Sequence, residues 1–161
     1  MEYFGAARCR YARCILGVLC LCCGTARLAG AEEDKIASPA EDPALFIGMT
    51  LQELYALYGV PQSVHPVRGR EEWQDDVVFT YGNGDFYIYR DRIWQVGVQN
   101  AYGIKIGDNQ AALAETLGER ITLSGAHALY SLPDRRWSIT VRFNMDPKGA
   151  VSAIFIYRSD F

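Results

Sequence analysis

"FTYGNGDFYIYRDRIWQVGV", Phe79 to Val98, is the stretch on which the fold turns. Gly82-Asn83-Gly84 marks a tight hairpin, because such turns need positive φ and Gly and Asn adopt it at little cost. The chain returns as Asp85 to Tyr89, turns again at Arg90-Asp91-Arg92, and runs on as Ile93 to Val98. Upstream, Trp73 to Tyr81 ends in the β-branched and aromatic run "DVVFTY", so three antiparallel strands are expected in succession. Gln62 to Val67 has the composition of a further short strand, interrupted by Pro66.

Before this meander stands "IGMTLQELYALYGVP", Ile47 to Pro61. Thr50 and Glu53 form a capping box, in which each side chain satisfies a free backbone N–H at a helix start. Leu51, Leu54, Tyr55, Leu57 and Tyr58 follow at helical spacing, Gly59 ends the helix, and Pro61 prevents its resumption. A fainter copy, "IGDNQAALAETLGER", occupies Ile106 to Arg120, with Asp108 as the expected N-cap. Ile47/Ile106, Gly48/Gly107, Leu54/Leu113 and Gly59/Gly118 match at one offset. Strands are again expected behind the second helix, over Ile121–Leu123, His127–Leu132, the alternating "RWSITVRF" and Ala150–Tyr157. The sequence therefore predicts an α+β fold of two degenerate helix-plus-β-meander repeats, residues 45–100 and 101–161. They would form antiparallel sheet with short helices packed on one face.

"GMTLQELYALYGVPQ" followed by the hairpins of Phe79–Val98 resembles the small periplasmic unit of the SmpA/OmlA (BamE) outer-membrane assembly lipoproteins. Two such units in tandem resemble the β-lactamase inhibitor protein architecture. The likeness covers Leu45–Val98 well and Ile104–Tyr157 loosely. It implies an envelope protein that binds or scaffolds another protein, with no catalysis and no cofactor.

The remaining segments set the compartment. Residues 1–31 carry Arg8, Arg10, Arg13 and Arg27, an uncharged run from Cys14 to Ala26, and Ala29-Gly30-Ala31. A basic flank, a short apolar core and a small-x-small site describe a secretory signal peptide, and a periplasmic destination is expected. Cys22 and Cys23 are the candidate lipid anchors, although neither is preceded by a good lipobox. Membrane association is expected only through such an anchor or through a partner. Residues 32–44, "EEDKIASPAEDPA", read as a flexible acidic tether. Removing the leader's four arginines and one glutamate from the chain's 16 basic and 19 acidic residues leaves 12 and 18, a net charge of −6 with histidines neutral. That charge argues against nucleic acid as a partner. All five cysteines lie within the leader, so no disulfide framework or catalytic thiolate is expected after cleavage.

Catalytic constellations are hard to find. His65 and His127 are the chain's two histidines and have no metal-ligand spacing. Glu71, Glu72, Asp75 and Asp76 flank Trp73, where paired carboxylates could serve a cell-wall hydrolase or, more simply, form a solvated strand edge. Ser124 and Ser131 lack a nucleophile-elbow setting. The alternation ending in Phe161 suggests a small outer-membrane β-barrel as another alternative, against which stand the short strands and the capped helices. The stronger lead is aromatic. With Phe86 and Ile88 facing the core, Tyr87 and Tyr89 would line the open sheet face with Gln95, beside Trp94, as a protein-binding surface. The expectation is a non-enzymatic envelope protein whose partner is another envelope protein.

Overall fold

The computed structural model describes Pro39, residues 41–70 and residues 76–160. The expected signal peptide, the anchors Cys22 and Cys23, most of the tether, the residues Glu71, Glu72, Trp73 and Asp75, and Phe161 lie outside the described residues.

Both helices start where a side chain meets a free backbone N–H. In α1 (Leu51–Tyr58), Thr50 Oγ1 accepts from the Glu53 N–H at 3.1 Å, and Glu53 Oε2 accepts from the Thr50 N–H at 2.7 Å. Those bonds, the backbone one first, hold the Glu53 carboxyl below its ordinary pKa. In α2 (Gln110–Leu117) the cap is Asn109 rather than Asp108, with Oδ1 accepting from the Ala112 N–H at 3.0 Å. Asp108 is occupied one turn earlier, its Oδ2 accepting from the Lys105 N–H at 2.9 Å. The matched glycines do the same work at each helix. Gly48, at φ 89°, donates to the Ile93 carbonyl at 2.8 Å, and Gly107, at φ 97°, donates to the Val151 carbonyl at 2.8 Å.

The strands are β1 (Ser63–Val67), β2 (Asp76–Tyr81), β3 (Gly84–Tyr89), β4 (Arg92–Val98), β5 (Asn100–Ala101), β6 (Ile104–Lys105), β7 (Ile121–Ser124), β8 (His127–Leu132), β9 (Ile139–Met145) and β10 (Val151–Arg158). Among the described residues, eight of them form one antiparallel sheet in the order β1-β2-β3-β4-β10-β9-β8-β7. β5 and β6 form a small hairpin that the sequence reading did not anticipate.

This corrects the expected fold class. The described chain is mostly β, built on one continuous eight-stranded sheet with two helices of eight residues each, and not an α+β pair of helix-plus-meander repeats. The reason is the seam between β4 and β10, where Val98, Gly97, Val96 and Gln95 pair with Ile154, Phe155, Ile156 and Tyr157. Left as edges, both strands would expose unpaired N–H and C=O groups along apolar backbone. Joined, they merge two hairpin series into one sheet with β1 and β7 at its edges. β1 is exposed along its whole length, and an edge is where a strand tolerates Pro66.

The register writes the core across the sheet. Val64, Phe79, Phe86, Val96, Ile156, Val141, Tyr130 and Ile121 are successive cross-strand partners from β1 to β7. Leu54 of α1 and Leu113 of α2 complete the same apolar cluster, at 0% and 1% exposure. Phe86 sits at its aromatic centre, edge-on to Phe46 at 4.9 Å and to Tyr81 at 5.6 Å between ring centroids.

The end of the expected tether is also ordered. Asp42 caps a 3-10 turn, Pro43–Phe46, by accepting from the Ala44 N–H at 3.2 Å. Its carboxylate, 8% exposed as a residue, further accepts from the Tyr102 hydroxyl at 2.8 Å and pairs with Arg135 at 2.6 Å. Burial, then the bond to Asp42 and its charge, push the Tyr102 phenol well above its ordinary pKa.

Phe86→Ala is expected to destabilise folding by about 3–5 kcal/mol, the usual cost of deleting a buried ring. Thr50→Ala is expected to cost about 1 kcal/mol through loss of the cap. Urea unfolding of the two variants checks both, and equal effects would contradict this ranking.

Candidate functional site

The second face of the sheet, opposite the helices, is also written by register. One row runs His65, Val78, Tyr87, Gln95, Tyr157, Thr140, Ser131 across β1, β2, β3, β4, β10, β9 and β8. The adjacent row runs Ser63, Thr80, Asp85, Gly97, Phe155, Arg142, Leu129, Thr122 across all eight strands.

Of the residues expected to line this face, Tyr87 and Gln95 are brought together as direct cross-strand partners. Tyr87 is half-buried, while Gln95 is only 8% exposed between Tyr87 and Tyr157. Gln95 therefore supports the surface from beneath and does not present itself to a partner. Tyr89 lies further along β3 toward the next turn, paired with Arg92, and the Arg90 guanidinium stacks 5.1 Å from its ring centroid. It stands apart from the other two.

Around Tyr87 the face carries an aromatic array that the sequence did not delimit. The register shifts between Tyr87 and Ile88, which inserts Trp94 between Ile93, the partner of Ile88, and Gln95, the partner of Tyr87. The Trp94 indole N–H donates to Asp76 Oδ1 at 3.0 Å, and its ring meets Tyr87 edge-on at 6.5 Å. Phe155 meets the other side of Tyr87 at 6.3 Å, also edge-on. Phe155 has room because Gly97 stands beside it: a methyl at Gly97 would touch its ring at 3.4 Å. The Arg142 guanidinium then lies 5.1 Å from Phe155 and 5.5 Å from Tyr157, within cation–π range of both rings.

This array is polarised. Its β2–β3 side holds Asp76 and Asp85, the latter accepting from the Thr80 hydroxyl at 2.7 Å. Its β9 side holds Arg142, whose Nε is buried without a hydrogen-bond partner, and Asn144, whose Oδ1 is buried likewise. Chemically the face offers flat apolar area with polar tips, which suits contact with another surface.

The signal for Phe155, Tyr157 and Arg142 was present as alternation. In "AIFIY" the isoleucines take the core phase and the aromatics the other, and in "ITVRF" Arg142 falls in the polar phase. Nothing local says that β10 lies beside β4.

The two histidines are separated on this face, His65 on β1 opposite Val78 and His127 on β8 opposite Asn144. Among the described residues, no group of three His, Cys, Asp or Glu side chains is placed to hold a metal ion. No described helix is long and apolar enough to cross a membrane.

Burial, followed by the charges of Asp85 and Asp76, raises the Tyr87 pKa above the ordinary 10.0, with Arg142 opposing. In the unfolded chain the phenol ionises at its ordinary value, so folding favours the protonated form. The stabilisation is complete below pH 10 and is lost as pH climbs through the folded-state value. Tyr87→Phe is expected to flatten the alkaline decline of folding stability. Unfolding curves across that pH range check it, and an unchanged slope would refute the assignment.

No protein-family model matches the sequence, and no curated protein matches it either. Similar solved structures include an extracellular protein containing an SCP domain from Bacillus anthracis, 10% identical with a TM-score of 0.47, over 80% of this chain and 49% of that one. They also include a DUF4309-family protein, YjgB, from Bacillus subtilis, 16% identical with a TM-score of 0.43, over 68% of this chain and 78% of that one. The chain spans about half the length of the Bacillus anthracis protein. At these values neither likeness carries a functional argument.

Proposed function

We propose that this is an exported envelope protein that binds another envelope protein across the second face of its sheet, without catalysis. The observation that carries the reading is the array Trp94–Tyr87–Phe155–Arg142–Tyr157, in which four strands, β3 and β4 from one part of the chain and β9 and β10 from another, bring rings and a guanidinium together. Aromatic and arginine side chains are the groups that most often dominate binding energy at protein interfaces. Export rests on the basic, apolar and small-x-small succession of residues 1–31. The resemblance of Leu45–Val98 to SmpA/OmlA units adds a periplasmic setting near outer-membrane assembly or maintenance.

The barrel alternative is less favoured, because β1 and β7 end the sheet at opposite edges and do not pair with each other. Of the four carboxylates in the hydrolase alternative, Asp76 accepts from the Trp94 indole, and the other three lie outside the described residues.

In-cell photo-crosslinking tests the proposal. Probes at Ser131, on the second face, and at Leu57, on the exposed side of α1, report from opposite sides. The expected result is one envelope protein captured from Ser131, not from Leu57, with the yield reduced about tenfold or more in Arg142→Glu, as for loss of a binding hot spot. Equal capture from both positions, or capture indifferent to Arg142→Glu in a variant that still folds, would overturn it.

A further inference from the structure

A second site lies away from that face, at the end of the sheet where β4 and β9 begin and β10 finishes. There the loop from β8 to β9 brings Trp137 against Gly48, the residue before α1 at which the chain turns with φ +89°. The approach is close: a methyl at Gly48 would lie 2.9 Å from the indole nitrogen. The indole nitrogen is the ring atom nearest that approach, so its N–H edge lies beside Gly48. Two cations lie within cation–π range of the indole, Arg158 at 4.0 Å and Arg136 at 4.9 Å from the ring centroid.

Beside it opens a groove of about 390 Å³, lined by Arg92, Arg135, Arg136 and Trp137, with Glu53 and Asp134 on its walls. Three arginines from two places in the sequence, Arg92 at the start of β4 and the adjacent Arg135 and Arg136 in the β8–β9 loop, line one small volume. Each carries five N–H donors. Arg92 spends one on the Gly48 carbonyl at 2.8 Å, and Arg135 is paired with Asp42. Arg136 only stacks on Trp137. Most of the donor capacity therefore remains unspent.

Acids on the walls offset part of this charge. Glu53 stays anionic while its Oε2 accepts from both the backbone N–H and the hydroxyl of Thr50 at 2.7 and 2.8 Å, and its charge faces Arg92. Asp134, held at φ 55° in the β8–β9 loop, is the acid left to compete.

We propose that this groove is a binding site for a phosphate group. Planar guanidinium forks match the oxygens of phosphate, and several donor groups arranged around one volume suit an anion with more oxygens than a carboxylate carries. The indole packs beside two of these cations, so its N–H is a local reporter of the groove. Asp134 sets the affinity by competing for the same donors. This surface is separate from the aromatic face of the sheet, so either assignment can fail alone.

The test uses the whole folded protein with inorganic phosphate as the probe, against sodium chloride at matched ionic strength. The readout is the Trp137 indole N–H resonance, assigned by Trp137→Phe. A saturable shift is expected with phosphate and not with chloride. Arg136→Gln, which removes no hydrogen bond among the described residues, is expected to weaken binding about tenfold, the order expected for one charge-assisted contact. Asp134→Asn is expected to tighten binding. Flotation with phosphatidylcholine vesicles containing phosphatidic acid separates two sources of the same group. Binding that inorganic phosphate displaces assigns a lipid headgroup, and phosphate binding without flotation assigns a soluble phosphate. No phosphate-specific shift, or equal affinity in a folded Arg136→Gln protein, would overturn the proposal.

Discussion

The structure depends on the antiparallel pairing of β4 with β10. Each of these strands closes its own series of hairpins, and each has a hairpin partner on one side only until the seam forms. Pairing them removes two edges at once and aligns Val96 with Ile156 and Val98 with Ile154 on the core face. The helices then cover a continuous apolar surface instead of two small ones. Because β4 and β10 are far apart in sequence, the cost of closing that loop is recovered only when the whole sheet is assembled, which favours cooperative folding.

The same seam creates the second face. Tyr87 belongs to one hairpin series, and Phe155, Tyr157 and Arg142 to the other. Gly97 lies opposite Phe155 and leaves space beside its ring. Here glycine acts through the volume it leaves empty, whereas at Gly48 it provides both a left-handed turn and a bed for Trp137. One seam thus supports the core on one side and a recognition surface on the other.

Local chemistry was legible in the sequence where it is decided locally. The Thr50–Glu53 box, the stop at Gly59 and the alternation of Phe86 with Tyr87 all form as the residues dictate. Asp108 shows the limit: its side chain has two uses within four residues, and the preceding turn claims it ahead of the helix. Gln95 shows another. Its place beside Tyr87 follows from a short hairpin, but its burial requires Tyr157 from a distant strand. Tyr89 keeps the expected phase, yet the inserted Trp94 and the adjacent turn set it apart from Tyr87. Trp137 begins an alternating run and so reads as a core residue, but β9 starts only at Ile139 and the indole folds onto Gly48. The fold class was misjudged for the same reason, since two well-marked helices drew the eye from a pairing that no local motif encodes.

Asp42 has a mechanical consequence. Its carboxylate ties the start of the described domain to Tyr102 in the β5–β6 turn and to Arg135 in the loop before β9. A pull applied through the chain ahead of Asp42 is shared among three segments distant in sequence, and the 3-10 turn is not simply peeled from its end. The junction behaves as a riveted bracket: load entering there passes to the strand ends around Trp137 before it reaches the core.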